Sequence, residues 1–106
     1  MFVFVVLGAQ GQAIEQVTYS GKLERGPTQS VIFYLSTATG DITAFCFPNR
    51  SAAGRKILAK CKNGGNCKFT GRVDWSADCN VSMPGGLSAQ AKILTITGAR
   101  TVKWRN

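Results

Sequence analysis

The amino-acid sequence predicts an all-β domain with one short helix, folded as a closed five-stranded barrel. Three observations support this prediction. Apolar and polar residues alternate along several short segments, as they do in half-buried strands. One segment with the composition of a helix, residues 51–61, follows the third of these strands and precedes two more. Glycines inside the strands provide the bends that a small curved sheet needs.

The first predicted strand covers residues 17–24. One face carries the apolar members of the alternation: Val17, Tyr19, Gly21 and Leu23. We expect Gly21 to mark a bulge or a sharp bend, because glycine inside a strand permits close backbone approach. The Gly26-Pro27 pair then ends the strand.

The second and third predicted strands, residues 30–37 and 42–47, flank a turn at Gly40 and are expected to pair as a hairpin. Both faces of the second strand are apolar. One face holds Val31, Phe33 and Leu35, and the other holds Ile32 and Tyr34.

The predicted helix begins at Ser51, whose hydroxyl is suited to accept a hydrogen bond from the first turn. A short apolar stripe consists of Ala52, Ala53, Ile57, Leu58 and Ala59. Three cations lie mostly off this stripe, namely Arg55, Lys56 and Lys60. We expect these cations to form a solvated outer face, and the Asn63-Gly64-Gly65 run to end the helix.

The fourth predicted strand covers residues 67–75, and Gly71 offers it a second bend. We place Phe33, Phe69 and Trp75 in the core, because each belongs to the apolar set of its alternating strand.

A turn-rich segment, residues 76–88, leads to the fifth predicted strand, residues 91–97. Gly98 is expected to interrupt this strand before a short extended tail.

This order of three strands, one helix and two strands, with bending glycines, resembles the OB-fold. That fold is a Greek-key barrel of five strands, in which a helix lies between strands three and four. The resemblance covers residues 17–104. In general outline the chain is also similar to small uncharacterised bacterial proteins that are secreted or periplasmic.

OB-folds bind ligands along strands two and three, between the loops that join strands one to two and four to five. Carried onto this chain, the resemblance implies flanking loops at residues 25–29 and 76–89. The candidate ligand-binding residues are Lys22, Tyr34, Phe45, Phe47 and Arg72. Aromatic rings stack on bases or sugars, and cations meet phosphates or carboxylates.

The first residues form an apolar run followed by small residues. Gly11 and Ala13 suit a signal-peptidase site, so we interpret residues 1–13 as the remnant of a signal peptide and residues 14–106 as one barrel domain. The alternative is an N-terminal strand. The run is too short for a transmembrane helix, which needs about 20 apolar residues.

Four cysteines in a small exported domain predict two disulfides. A zinc site is disfavoured, because the cysteine spacing is irregular and the chain has no histidine. Three pairings are possible, and the sequence does not choose among them. We favour Cys61–Cys67, since a glycine-rich loop joins them, which leaves Cys46–Cys79.

Thirteen Lys and Arg against five Asp and Glu give a net charge of +8. This balance favours anionic partners, whether an acidic protein, an anionic glycan, lipid head groups or nucleic acid, although it also arises from a solvated surface.

The sequence predicts neither an enzyme nor a cofactor site. It lacks histidine, a nucleotide-binding glycine motif and a nucleophile motif. Asp74 and Asp78 are close in sequence, but we expect both to be surface charges.

We therefore expect an exported, disulfide-stabilised, non-enzymatic binding module for a protein or glycan, located in the periplasm or secreted. One alternative is an OB-fold protein that binds single-stranded nucleic acid. Another is a toxin accessory subunit or an inhibitor.

Overall fold

A computed structural model describes residues 13–81 and 89–103 of the chain. Within these residues five strands and one helix form a closed barrel, which confirms the predicted fold class. The elements are β1 (Ile14–Arg25), β2 (Gln29–Leu35), β3 (Ile42–Pro48), α1 (Ala52–Lys60), β4 (Asn66–Asp74) and β5 (Ala89–Val102). Residues 1–12 of the predicted signal peptide lie outside the described residues.

The strands follow one another around the barrel in the order β1-β2-β3-β5-β4, and β4 closes it against β1. Neighbouring strands are antiparallel except for β3 and β5, which are parallel. β1 pairs with β4 from Ile14 to Lys22 and with β2 from Lys22 to Arg25. β1 thus changes its pairing partner at Lys22. The strand order, with β1 between β2 and β4 in a closed barrel, is OB-like.

Gly21 and Gly71 lie where two strand backbones approach closely. A Cβ at Gly21 would collide with the carbonyl oxygen of Phe33, and a Cβ at Gly71 with that of Thr95. The register of the β4–β5 pair shifts beside Gly71, where the sequence predicts a bend. Gly21 precedes the residue at which β1 changes its partner.

The barrel interior is centred on Phe45. Its ring centroid lies 4.8 Å from that of Tyr19, 5.3 Å from that of Phe69 and 5.6 Å from that of Trp75. Ile57 brings α1 into the same core, so the helix closes the barrel with an apolar side chain. The fully buried side chains around Phe45 include Leu23, Ile32, Phe47, Phe69, Val73 and Ile93.

The orientation predicted for β2 is wrong at Phe33. Ile32 is fully buried in the main core and Tyr34 packs against it, whereas Phe33 is half-buried in a separate cluster. Because both faces of β2 are apolar, alternation alone does not determine which face points inward. The end predicted for β5 is also wrong, since this strand continues through Gly98 to Val102.

Two disulfides stabilise this small barrel. One joins Cys61 to Cys67, which are six residues apart, and therefore links the end of α1 to the start of β4. The other joins Cys46 to Cys79 across 33 residues. Both disulfides match the pairing favoured from the sequence, which rested on the glycine-rich loop between Cys61 and Cys67.

Candidate functional site

A strap, residues 76–81, crosses the outer surface of β3. Besides the Cys46–Cys79 disulfide, two glutamine side chains hold it in place. Gln29 Nε2 donates to the Cys79 carbonyl oxygen at 2.8 Å, and the Cys79 N–H donates to Gln90 Oε1 at 3.0 Å. The strap is therefore fixed to β2, β3 and β5.

Beneath the strap lies the second apolar cluster. Four of its residues are buried: Val31, Ala44, Cys46 and Cys79. Phe33 and Val81 pack against these four. Val31, Phe33, Ala44 and Cys46 belong to the outer face of β2 and β3, whereas Cys79 and Val81 belong to the strap. The OB resemblance implies ligand binding along these two strands. The chain itself therefore covers part of that face.

The uncovered part of this face borders a groove of about 600 Å³, which residues of β1, β4 and the end of β5 also line. We call it the Leu35 groove and define it by Lys22, Phe33, Leu35, Ile42, Asn66 and Lys103, which are among its lining residues. Leu35 and Ile42 are register partners beside the turn of the β2–β3 hairpin. Leu35 is 56% exposed, the largest value among the exposed large apolar side chains of the described residues.

A smaller depression of about 260 Å³ adjoins this groove and shares Phe33 with it. Its lining includes Arg25, Gln29 and Val81. Phe33 therefore connects two depressions on one side of the barrel, and the edge of the strap borders the smaller one.

The charges at the Leu35 groove are mixed. Lys22 Nζ lies 3.6 Å from Glu24 Oε2, and both side chains are 54% exposed. Lys103 is a second exposed cation on the rim. Because the Lys22–Glu24 pair is open to solvent, it contributes little to stability, and Lys22 is accessible to an anionic partner.

Two of the predicted site residues, Lys22 and Tyr34, line the Leu35 groove. Tyr34 is half-buried and packs on the core, with its ring centroid 4.8 Å from that of Tyr19. It forms an inner wall of the groove and does not stand free on the surface.

The structure does not place the other three predicted residues at the groove. Phe45 and Phe47 are 0% exposed, so they offer no surface to a ligand and belong to the core. Arg72 pairs with Gln16 of β1, six residues from Lys22. At the usual rise of a strand, that spacing puts Arg72 about 20 Å from Lys22.

Leu35, Ile42 and Lys103 line the groove but were not predicted as site residues. Their signal in the sequence is weak, because an aliphatic residue in an apolar strand is normally a core residue. Leu35 and Ile42 are recognisable only once the register places both at the uncovered end of the hairpin.

Asp74 and Asp78 each stabilise a local turn. Asp74 Oδ1 accepts from the Ser76 N–H at 2.9 Å and from Ser76 Oγ at 2.6 Å. Asp78 Oδ1 accepts from the Asn80 N–H at 2.9 Å. The two hydrogen bonds to Ser76 hold the pKa of Asp74 below its ordinary value.

Two features are absent from residues 13–81 and 89–103. No group of three or more metal-ligating side chains comes together there. None of the helices in that part of the chain has the length and apolar character needed to cross a membrane.

The chain was also compared with protein-family models, with curated proteins and with solved structures. None of these three comparisons gives a match.

Proposed function

We propose that this chain is an exported, disulfide-stabilised binding module, without catalytic activity, that binds a partner protein through the Leu35 groove. The observation that carries the proposal is the pairing of exposed Leu35 with Ile42 beside the hairpin turn, next to Phe33. An aliphatic patch of this kind with a polar rim is typical of the centre of a protein interface.

The composition of the groove favours a protein over a glycan or nucleic acid. Sugars and bases bind to aromatic platforms, but Phe45 and Phe47 are buried and Tyr34 is packed on the core. Among the described residues that line the groove, Phe33 is the one aromatic side chain outside the barrel interior. Lys22 and Lys103 then favour a partner with carboxylates around an apolar anchor.

Two disulfides support the proposed export, because they form and persist in oxidising compartments. Alkylation in denaturant of protein from its native host is expected to modify no cysteine before reduction and four after it. Modification of all four cysteines before reduction would contradict export.

Photo-crosslinking from position 35 tests the proposed interface. A photoreactive amino acid replaces Leu35 in the protein produced in its native host, and mass spectrometry identifies each adduct. The matched control carries the same amino acid at Leu94, which is 36% exposed on β5 and lines none of the depressions described above.

We expect a discrete protein adduct at position 35 that is absent at position 94. Adducts of equal yield at the two positions would contradict a specific groove. A nucleic-acid or glycan adduct at position 35 would support the corresponding alternative ligand and contradict the protein partner.

A further inference from the structure

A second cleft, of about 470 Å³, lies between α1 and β5 and shares no lining residue with the Leu35 groove. Its floor is apolar, formed by Ile96 and Ala99 of β5 with Ala59 of α1. The helix supplies three cations to the same cleft: Arg55, Lys56 and Lys60. The volume is within the range of small-molecule sites, which is roughly 300–1,000 Å³.

The edge of β5 is open beside this cleft. The parallel pairing of β3 with β5 ends at Lys92, whereas β5 continues to Val102. A Cβ built at Gly98 meets nothing within 4 Å, so the space in front of this residue is empty. The cleft is therefore accessible from outside between helix and strand.

The charged residues that line the cleft are all basic, and the segment that contains α1 is basic throughout. Between Asp41 and Asp74 the sequence has no acidic residue, but it has seven basic ones: Arg50, Arg55, Lys56, Lys60, Lys62, Lys68 and Arg72. In the part of the chain that the structure describes, the recorded ion pair is Lys22–Glu24, so the cations of α1 have no carboxylate partner there. Arg55 Nε donates to the Arg50 carbonyl oxygen at 3.1 Å, which leaves the other guanidinium N–H groups available.

Several of these cations are nearest neighbours. Lys56 and Lys60 are four residues apart on α1, a spacing at which like charges destabilise a helix. Lys68 of β4 is the register partner of Arg100 of β5, and like charges in this position destabilise a sheet. A bound anion would relieve the repulsion on the helix.

We propose that the helix–β5 cleft binds a small amphiphilic anion, with one carboxylate or phosphate attached to an apolar body. The anionic group lies against Lys56 and Lys60, with Arg55 as a third donor. The apolar body lies over Ile96 and Ala99. This site is independent of the Leu35 groove, so failure of either proposal leaves the other unaffected.

Decanoate below its micellar concentration is the probe, and binding is followed by calorimetry and by backbone amide chemical shifts. Decanol and decyltrimethylammonium are controls with the same chain length and a different charge. We expect decanoate to bind most tightly and to shift the amides of Ile96, Thr97 and Ala99. Equal affinity for decyltrimethylammonium would overturn the proposal.

Two charge variants with equal net charge separate a specific site from general attraction. Lys56→Gln with Lys60→Gln is expected to raise the Kd for decanoate about tenfold, the effect of losing two partly solvated cation contacts. The matched control, Lys62→Gln with Lys92→Gln, removes two exposed cations that do not line the cleft and is expected to change the Kd by less than about twofold. Equal weakening in both variants would overturn the proposal.

Gly98 lines the cleft, and a Cβ there meets nothing within 4 Å, so Gly98→Leu adds an apolar side chain at the cleft. We expect this variant to be at least as thermally stable as the wild type and to lose the decanoate-induced shifts. Unchanged decanoate binding would overturn the assignment to this cleft. So would binding to phosphatidylglycerol vesicles without binding to decanoate, since the cations would then recognise a membrane surface.

Discussion

Cys79 is bonded to Cys46 on the outer surface of β3, while Phe45 and Phe47 on either side of Cys46 point into the core. The bond fixes the strap across the part of the face where Val31 and Ala44 are buried. It therefore determines which part of the β2–β3 surface is covered and which part remains open as the Leu35 groove.

The Cys46–Cys79 disulfide is expected to contribute more stability than Cys61–Cys67, because it closes the longer loop. With separations of 33 and 6 residues, chain entropy assigns them about 4 and about 2 kcal/mol. Urea unfolding of the Cys46→Ala/Cys79→Ala and Cys61→Ala/Cys67→Ala double variants measures the difference. A larger loss in the second variant would contradict the entropic account.

Phe45→Ala is expected to destabilise the fold by about 3–5 kcal/mol, because it opens a cavity at the centre of the core. Leu35→Ala is the surface control, since its side chain is 56% exposed, and it is expected to cost less than about 1 kcal/mol. Chemical denaturation of both variants provides the comparison. Equal small losses would mean that Phe45 is not the core residue described here.

Gly54→Ala is expected to destabilise the protein by about 1–3 kcal/mol, although alanine normally favours a helix. The added Cβ would collide with the Pro48 carbonyl oxygen just before the N-cap Ser51. Gly98→Ala, where the Cβ meets open space, is expected to stabilise by about 0.5–1 kcal/mol. Thermal unfolding distinguishes the two, and a stabilising Gly54→Ala would contradict the tight packing at the start of α1.

Ser76→Ala is expected to raise the pKa of Asp74 towards its ordinary value, because the variant removes the shorter of two hydrogen bonds to the carboxylate. A pKa depressed in the folded state stabilises the fold above the unfolded-state pKa, and this contribution is lost as pH falls through the folded-state pKa. The stability difference between wild type and Ser76→Ala should therefore shrink in acid. NMR titration of the Asp74 carboxyl measures the pKa, and no change in Ser76→Ala would contradict the assigned cause.

The element order and most strand segments could be predicted from the sequence, because β1 and β4 alternate cleanly between apolar and polar residues. The helix cap was also predictable, and Ser51 Oγ accepts from the Gly54 N–H at 2.9 Å. The inward face of β2 was not predictable, since both of its faces are apolar and the choice depends on what the strap covers.

The candidate site was predicted only in part, because its lining residues come together only when the sheet closes. Lys22 and Tyr34 border the groove, but the strand register places Arg72 opposite Gln16, six residues along β1 from Lys22. Local sequence shows which side chains alternate. It does not show how far apart they lie after the sheet closes, nor which aliphatic residues remain uncovered.

The affinity of the partner captured at position 35 tests the proposed interface most directly. Leu35→Asp places a charge at the centre of the apolar patch and is expected to raise the Kd of that partner at least about tenfold. Leu94→Asp, the exposed control, is expected to change the Kd by less than about twofold, with both variants retaining the wild-type unfolding temperature. Equal affinities of Leu35→Asp and Leu94→Asp for the partner would contradict the assignment of the Leu35 groove as the binding site.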